Sequence, residues 1–473
     1  MSAGTTTENQ ATGPAANAAA AVGTAATTSA ASTPTGRATT ATTSTATSST
    51  ATSSQAAQGR RGVLPPGAAF AGVSVAFAGL YLAAGAPTPL LLALQERWGF
   101  PSWALTLAFG AYSLGLIAAL LVFGRLSDFV GRRPVIVAAL ALELVAMIAF
   151  VFAPNIGWVV AARTVQGVAT GAATSAFTAY TVELAPAHLK RLGAIVAGTA
   201  ALGGLGLGSL LAGFAVQLTP VANTVVFTVL AVIMAGGLVV TFLAPETSTR
   251  RAGANRSLVP SLEVPQHARR EFVSIIPAII GSWMLGALVL GLGPTLVLDV
   301  FHIDSGAIDG LVTFAEPAAA AIMGLVLGAI AARRVVLLGT FGVIVGTLLV
   351  AAAVLTGWLP LFLVGGVIGG AGFGASFSGS LRTLTAAALP HERAGLFASL
   401  YVTAYLSFGV PVIVGGLLIA PLGLNATVIG YAAVIVAAGV VAASLLLAGG
   451  VRRARRERRQ PVCPQGRSDS AMA

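Results

Sequence analysis

From Gly67 to Gly449 the chain repeats one pattern: a run of about twenty apolar residues, then a few polar or basic ones. A helix rises about 1.5 Å per residue, so such a run matches a hydrocarbon core about 30 Å thick. Unbroken apolar runs suit helices, because a barrel strand would alternate apolar and polar positions. Of the 473 residues, 56% are hydrophobic and only 9% charged, and the mean hydropathy is +0.89. Soluble domains of this length do not have that composition, so the chain is expected to be an integral membrane protein.

Twelve runs can be counted, in two sets of six separated by the polar stretch APETSTRRAGANRSLVPSLEVPQHARRE. The expected organisation is a disordered cytoplasmic tail over 1–66, a six-helix bundle over 67–243, a cytoplasmic linker over 244–271, a second six-helix bundle over 272–449 and a basic cytoplasmic tail over 450–473. The first tail is nearly all Ala, Thr, Ser and Gly, too poor in apolar residues to fold alone, and lacks the basic and apolar regions of a cleaved signal peptide. The sets echo each other. Gly157-Trp158 opens the fourth run and Gly357-Trp358 precedes the tenth, while APAHLKRLG after the fourth resembles LPHERAG after the tenth. The fold class is therefore read as all-α, with twelve transmembrane helices in two pseudo-symmetric six-helix bundles built around a midplane site.

With twelve spans, Arg60/Arg61, Arg132/Arg133, Lys190/Arg191, Arg250/Arg251, Arg269/Arg270, Arg333/Arg334, Arg393 and the RRARRERR tail all fall on one side. The opposite loops hold Arg97 and the acids Asp299, Asp304 and Asp309. The positive-inside rule then puts both termini in the cytoplasm. The net charge of +11 is thus topological, and no nucleic-acid partner is implied. The arginine-rich tail fits contact with anionic lipid. Lys190 is the only lysine, and arginine, alanine and glycine abound, as expected of a GC-rich prokaryotic genome; a plasma-membrane location follows.

Other classes fail on residue inventory. A phosphate loop ending Gly-Lys-Ser/Thr is absent, which argues against an ATP-driven pump. The four histidines (His188, His267, His302, His391) are scattered through loops, and Cys463 is alone, so no enzyme, metal site or cofactor is expected. A non-transporting membrane sensor remains a remote alternative.

The sequence GRLSDFVGRRP, Gly124 to Pro134, lies between spans two and three. It resembles the signature loop of the major facilitator superfamily. RTVQGVATGAA, from Arg163, and PET, at Pro245 to Thr247, resemble further motifs of that family, and the resemblance covers about residues 67–449. It implies a small-molecule transporter working by alternating access, by default as a monomer. Gly124 and Gly131 are expected to allow tight turns, Arg132 and Arg133 to hold the loop in the cytoplasm, and Asp128 to face the N-terminus of span eleven. In the family this loop latches the two halves, so these five residues are a candidate gate; the alternative is a topological anchor.

Deep polar residues supply the other candidates. Arg163, Glu143 and Gln166 share a depth in spans three and four, as a polar staple or a coupling network. The resemblance links Arg163 to proton transfer. Glu316 in FAEPAAA of span eight is a proton carrier, a substrate-facing charge or a structural hydrogen-bonding group, and Pro317 is expected to break the helix beside it. Trp283, Tyr401 and Tyr405, with Gln166, are substrate-binding candidates, though aromatic residues in membrane helices are more often packing. Span five, GGLGLGSLLAGF, resembles the family's antiporter motif, but Ser209 stands at its proline position and Ala212 at a glycine. The leading expectation is proton-coupled efflux of small neutral or amphipathic molecules; the alternative is proton symport or facilitated uptake of a small solute such as a sugar.

Overall fold

A computed structural model describes residues 63–258, 262–389 and 392–457. The proposed disordered tail up to residue 62, Arg60, Arg61, His391 and Cys463 lie outside the described residues. The described part contains twelve long helices. Helix α1 runs Pro66–Gly85 and resumes as Pro87–Trp98. It is followed by α2 (Ser102–Phe123), α3 (Arg132–Val151), α4 (Ile156–Leu184), α5 (Lys190–Leu218) and α6 (Ala222–Leu243). The second set comprises α7 (Arg269–Asp299), α8 (Gly306–Val326), α9 (Ala332–Thr356), α10 (Leu359–Ala387), α11 (Arg393–Leu422) and α12 (Leu424–Glu457).

Eleven of these are long and apolar enough to cross a membrane; α4, with 29 residues, has the length but carries Arg163, Gln166 and several threonines. Helix α12 continues past Gly449 to Glu457, because its Arg, Ala and Glu residues favour helix and no proline intervenes. Pro317 does not break α8, which stays helical through it.

The halves repeat one packing scheme. In the first, α2 and α3 pack on α4, and α1 on α5 and α6. In the second, α8 and α9 pack on α10, and α7 on α11 and α12. The correspondence extends to single residues. A Cβ on Gly167 of α4 would meet the Tyr112 carbonyl oxygen at 2.1 Å, and one on Gly370 of α10 the Glu316 carbonyl oxygen at 2.2 Å. Four positions on, Gly171 meets Leu116 and Gly374 meets Ala320. Only glycine allows such backbone approach, and small residues replace hydrophobic driving force where the solvent is lipid.

Between the halves, α2 packs on α11 and α5 on α8. Away from the arginine-bearing end these contacts close to backbone distance: a Cβ at Gly213 would lie 2.3 Å from the Gly306 carbonyl oxygen. Nearby, the Ser209 and Thr313 hydroxyls bond across the seam at 2.6 Å, so the serine at the motif's proline position fastens α5 to α8.

Candidate functional site

Toward the arginine-bearing end the halves separate around a cavity of about 490 Å³. Leu116 and Leu120 of α2, Thr174 and Thr178 of α4, and Tyr401 and Tyr405 of α11 line it. It ends at Glu183, whose side chain is 36% exposed. Tyr401 and Tyr405, one turn apart, stack with centroids 6.5 Å apart and belong to a larger aromatic wall. Trp283 of α7 is its hub, 4.7 Å from Tyr405, 5.5 Å from Phe373, 5.6 Å from Phe377 and 5.9 Å from Phe408. The three aromatic candidates thus meet at one place. Two further tyrosines approach the cavity from the first half: Tyr112 packs against Tyr405, and the Tyr81 hydroxyl lies 2.9 Å from that of Thr174. Those two tyrosines went unremarked in the sequence because their runs read as uniformly apolar.

Glu316 sits behind this wall. Its carboxyl group faces Gly286 of α7, where an added Cβ would lie 3.5 Å from Oε1 beside Phe373 and Phe408. The residue is 1% exposed, and neither carboxyl oxygen has a hydrogen-bond partner among the described residues. The carboxyl is therefore held by packing alone.

The polar group in the first half is arranged otherwise. Gln166 links Arg163 and Glu143: its Oε1 accepts from Arg163 Nη1 at 2.6 Å and its Nε2 donates to Glu143 Oε1 at 3.0 Å. Arg163 also donates to the carbonyls of Ala84 at 3.1 Å and Ala108 at 3.3 Å, and its guanidinium lies 4.5 Å from the Tyr112 ring centroid. Gln166 Nε2 reaches the Ala83 carbonyl at 2.9 Å. The break in α1 explains that acceptor, since Pro87 has no N–H to offer the carbonyl four residues back. Gln166 is fully buried in this network, away from the cavity lining.

The loop after α2 forms a third cluster. Asp128 pairs with Arg132, which also donates to Ser127 Oγ at 2.8 Å and to Glu183 at 3.4 Å. Asp128 thus pairs within its own half in this conformation, its side chain 53% exposed. The carboxylate that meets a helix terminus is Glu246 of the PET segment. It accepts from the backbone N–H of Arg132 at 2.9 Å and of Arg133 at 3.1 Å, which caps α3. Arg133 covers Phe242 at 4.8 Å. Gly131 has φ +110°, and a Cβ there would meet Glu246 Oε2 at 2.6 Å. Gly124 opens the turn that ends α2 without needing glycine's left-handed freedom, since its φ is −56°, and its carbonyl accepts from Ser175 Oγ at 2.7 Å. Among the described residues no group of three or more His, Cys, Asp or Glu could hold a metal ion.

Residues 73–333 match the Major Facilitator Superfamily. Short segments resemble curated transporters: 45% identity over 62 residues with an uncharacterized transporter of Rickettsia bellii, covering 13% of this chain and 15% of that one. A D-xylose transporter of Levilactobacillus brevis is 28% identical over 100 residues, covering 21% of this chain and 22% of that one. The major myo-inositol transporter IolT of Bacillus subtilis is 34% identical over 89 residues, 17% of this chain and 19% of its own length. The chain therefore spans less than a quarter of the length of each of these relatives. Among solved structures, the nucleoside transporter NupG aligns with a TM-score of 0.63 at 12% identity, covering 80% of this chain and 99% of that one. The xylose transporter XylE of E. coli, in a partially occluded inward-open conformation, aligns at 0.61 and 14% identity, covering 79% and 96%. The human organic anion transporter MFSD10 aligns at 0.59 and 17%, covering 80% and 100%.

Proposed function

This chain belongs to the major facilitator superfamily, and on that premise we propose that it moves a small uncharged solute across the membrane by alternating access, coupled to protons. The arrangement of Glu316 carries this reading: a buried carboxyl without a hydrogen-bond partner, behind the aromatic wall that borders the cavity. Such a group is costly to leave in a membrane unless it serves transport, and an intramembrane acid is a natural proton carrier. Rings that can face a sugar ring, with the hydroxyls of Thr174, Thr178 and the tyrosines, suit a neutral solute with hydroxyl groups.

Uptake by symport is the direction this reading takes, supported by the short resemblances to the D-xylose and myo-inositol transporters. Proton-coupled efflux is the second reading, favoured by the glycine-dense α5. Under the positive-inside rule the arginine-bearing end is cytoplasmic, so the cavity faces inward in this conformation of a plasma-membrane protein working as a monomer. The latch role of Gly124, Asp128, Gly131, Arg132 and Arg133 then belongs to the opposite, outward-facing state.

Proteoliposomes given an inward-acid or outward-acid gradient test both directions with labelled xylose, myo-inositol and a lipophilic dye. Sugar or polyol accumulation that follows the proton gradient inward, and is lost in Glu316→Gln, supports symport. Dye extrusion driven by protons supports efflux. Gradient-driven transport unchanged in Glu316→Gln sinks the assignment of Glu316.

A further inference from the structure

Three acids are buried among the described residues: Glu143, Asp309 and Glu316. Glu143 is held by Gln166. The other two stand on one face of α8, two turns apart, which sets them about 10 Å from each other along the helix axis. Thr313 lies between them on the same face, and its hydroxyl bonds with that of Ser209 on α5. By its place in the sequence Asp309 belongs with the outer acids Asp299 and Asp304. Its side chain is nevertheless turned into the protein: the residue is 6% exposed, and Oδ1 has no hydrogen-bond partner among the described residues. A charge that served only the N-terminus of α8 could stay in water, and Ser305 already caps that helix.

The seam between the halves closes at the next residue, where a Cβ on Gly213 of α5 would lie 2.7 Å from the Gly310 Cα. The charges that act on Asp309 are those of Asp304, in the loop before α8, and Glu96, near the end of α1. Both are exposed, and acids at a rim raise the local concentration of protons. The elements packed against α8 bring little else to this end. Helices α5 and α10 carry titratable groups only at the arginine-bearing end, as Lys190, Arg191 and Arg382, and α7 has Arg269, Arg270 and Glu271 there. At the outer end α7 adds the exposed Asp299, α1 the exposed Arg97, and the loop the exposed His302.

We propose that Asp309 is the group through which Glu316 takes its proton from the outer side, an inference that rests on the reading of Glu316 as the proton carrier. When the seam beside Gly310 parts in the outward-facing state, a proton from external water forms an O–H bond on the Asp309 carboxylate. That bond breaks as the proton passes along α8, with the hydroxyls of Thr313 and Ser209 as relays, and an O–H bond forms on Glu316. With the seam closed, as here, Asp309 is all but removed from outer water. The two sides of the membrane are then not joined by a proton leak.

Purified full-length protein is reconstituted in proteoliposomes, and labelled xylose and myo-inositol are followed with the outside acid and with equal pH on both sides. Asp309→Asn is expected to lower gradient-driven transport about tenfold while exchange at equal pH continues. Asp309→Glu, which restores a carboxyl group, should recover the drive with an altered dependence on external pH. Undiminished drive in Asp309→Asn, where Glu316→Gln abolishes it, overturns this assignment alone. Drive that survives Glu316→Gln overturns the reading beneath it, and this assignment with it. Loss of exchange together with drive in Asp309→Asn marks a structural charge and also overturns the proposal. Infrared difference spectra between acid and alkaline pH need no solute: one C=O band of a protonated carboxyl should be lost in Asp309→Asn and a second in Glu316→Gln. An Asp309→Asn spectrum identical to that of wild type overturns the proposal whatever the solute.

Discussion

The two halves solve the same steric problem and differ in how they treat a buried polar group. Tyr112 of α2 and Glu316 of α8 occupy matching positions, each with its carbonyl against a glycine of the neighbouring helix, Gly167 or Gly370. On the first side α4 carries Arg163 and Gln166, whose donors find carbonyls, a carboxylate and the Tyr112 ring. On the second side the matching α10 positions are Gly366 and Gly369, and Glu316 is left without a hydrogen bond among the described residues. Glu143 keeps one carboxyl oxygen, Oε2, without a partner, whereas Glu316 lacks a partner on both. A buried group that is engaged holds helices together; one that is not engaged has been kept at a cost. The comparison therefore sets a largely engaged network in the first half against an unengaged carboxyl in the second, the group to which the proposed function gives the proton.

The largest effect should come from Gln166→Leu. It fills the same space but disconnects Arg163 from Glu143 and strands a buried cation, and removing one member of a buried charged network costs about 3 to 5 kcal/mol. Thermal unfolding in detergent should show this as a marked loss of stability, with residual folded protein still coupled to protons. If Gln166→Leu is as stable as wild type but loses its proton dependence, the two halves have been assigned the wrong roles.

The glycine contacts test whether the halves share their packing. Gly167→Val and Gly370→Val both push a side chain into a carbonyl oxygen that a Cβ alone would meet at 2.1 and 2.2 Å. Each should cost about 1 to 3 kcal/mol, as overpacking does, and by similar amounts. A large effect in one half and none in the other would show that the repeat is topological only.

Glu316→Gln should change stability by less than about 0.5 kcal/mol, since the carboxyl has no partner to lose and the amide is nearly isosteric. Its effect belongs in transport: proton-driven accumulation should fall at least about tenfold, while solute exchange without a gradient continues. A loss of both together would mean that Glu316 contacts the solute.

These contrasts also show what could be read from residues in a line. The helices were legible because each apolar run must satisfy its own backbone in lipid, and the intramembrane polar residues stood out by cost alone. Partnership was legible in part: shared depth grouped Arg163, Glu143 and Gln166, and Gln166 does link the other two. Backbone partners were not legible, since the break at Pro87 frees the Ala83 carbonyl and draws Gln166 to it, away from the cavity. Glu246 was noticed only as part of a motif, because its role as the cap of α3 depends on the chain turning back after α6, more than a hundred residues from the helix it serves.

The smallest effect on stability should be that of Asp128→Asn. Its partner Arg132 is also held by Ser127 and Glu183, and the Asp128 side chain is half exposed, so the pair contributes less than about 1 kcal/mol. A gate acts on the difference between two states, and in this conformation Asp128 pairs with Arg132 of its own half. Removing the charge should leave the inward-facing state untouched and weaken the outward-facing one. The measurement is labelling of a cysteine placed at Thr178, on the cavity wall, in membrane vesicles: Asp128→Asn should increase its labelling by a membrane-impermeant thiol reagent about fivefold, from the loss of roughly 1 kcal/mol of helix-terminus attraction. Equal labelling in both proteins would reduce the loop to a topological anchor.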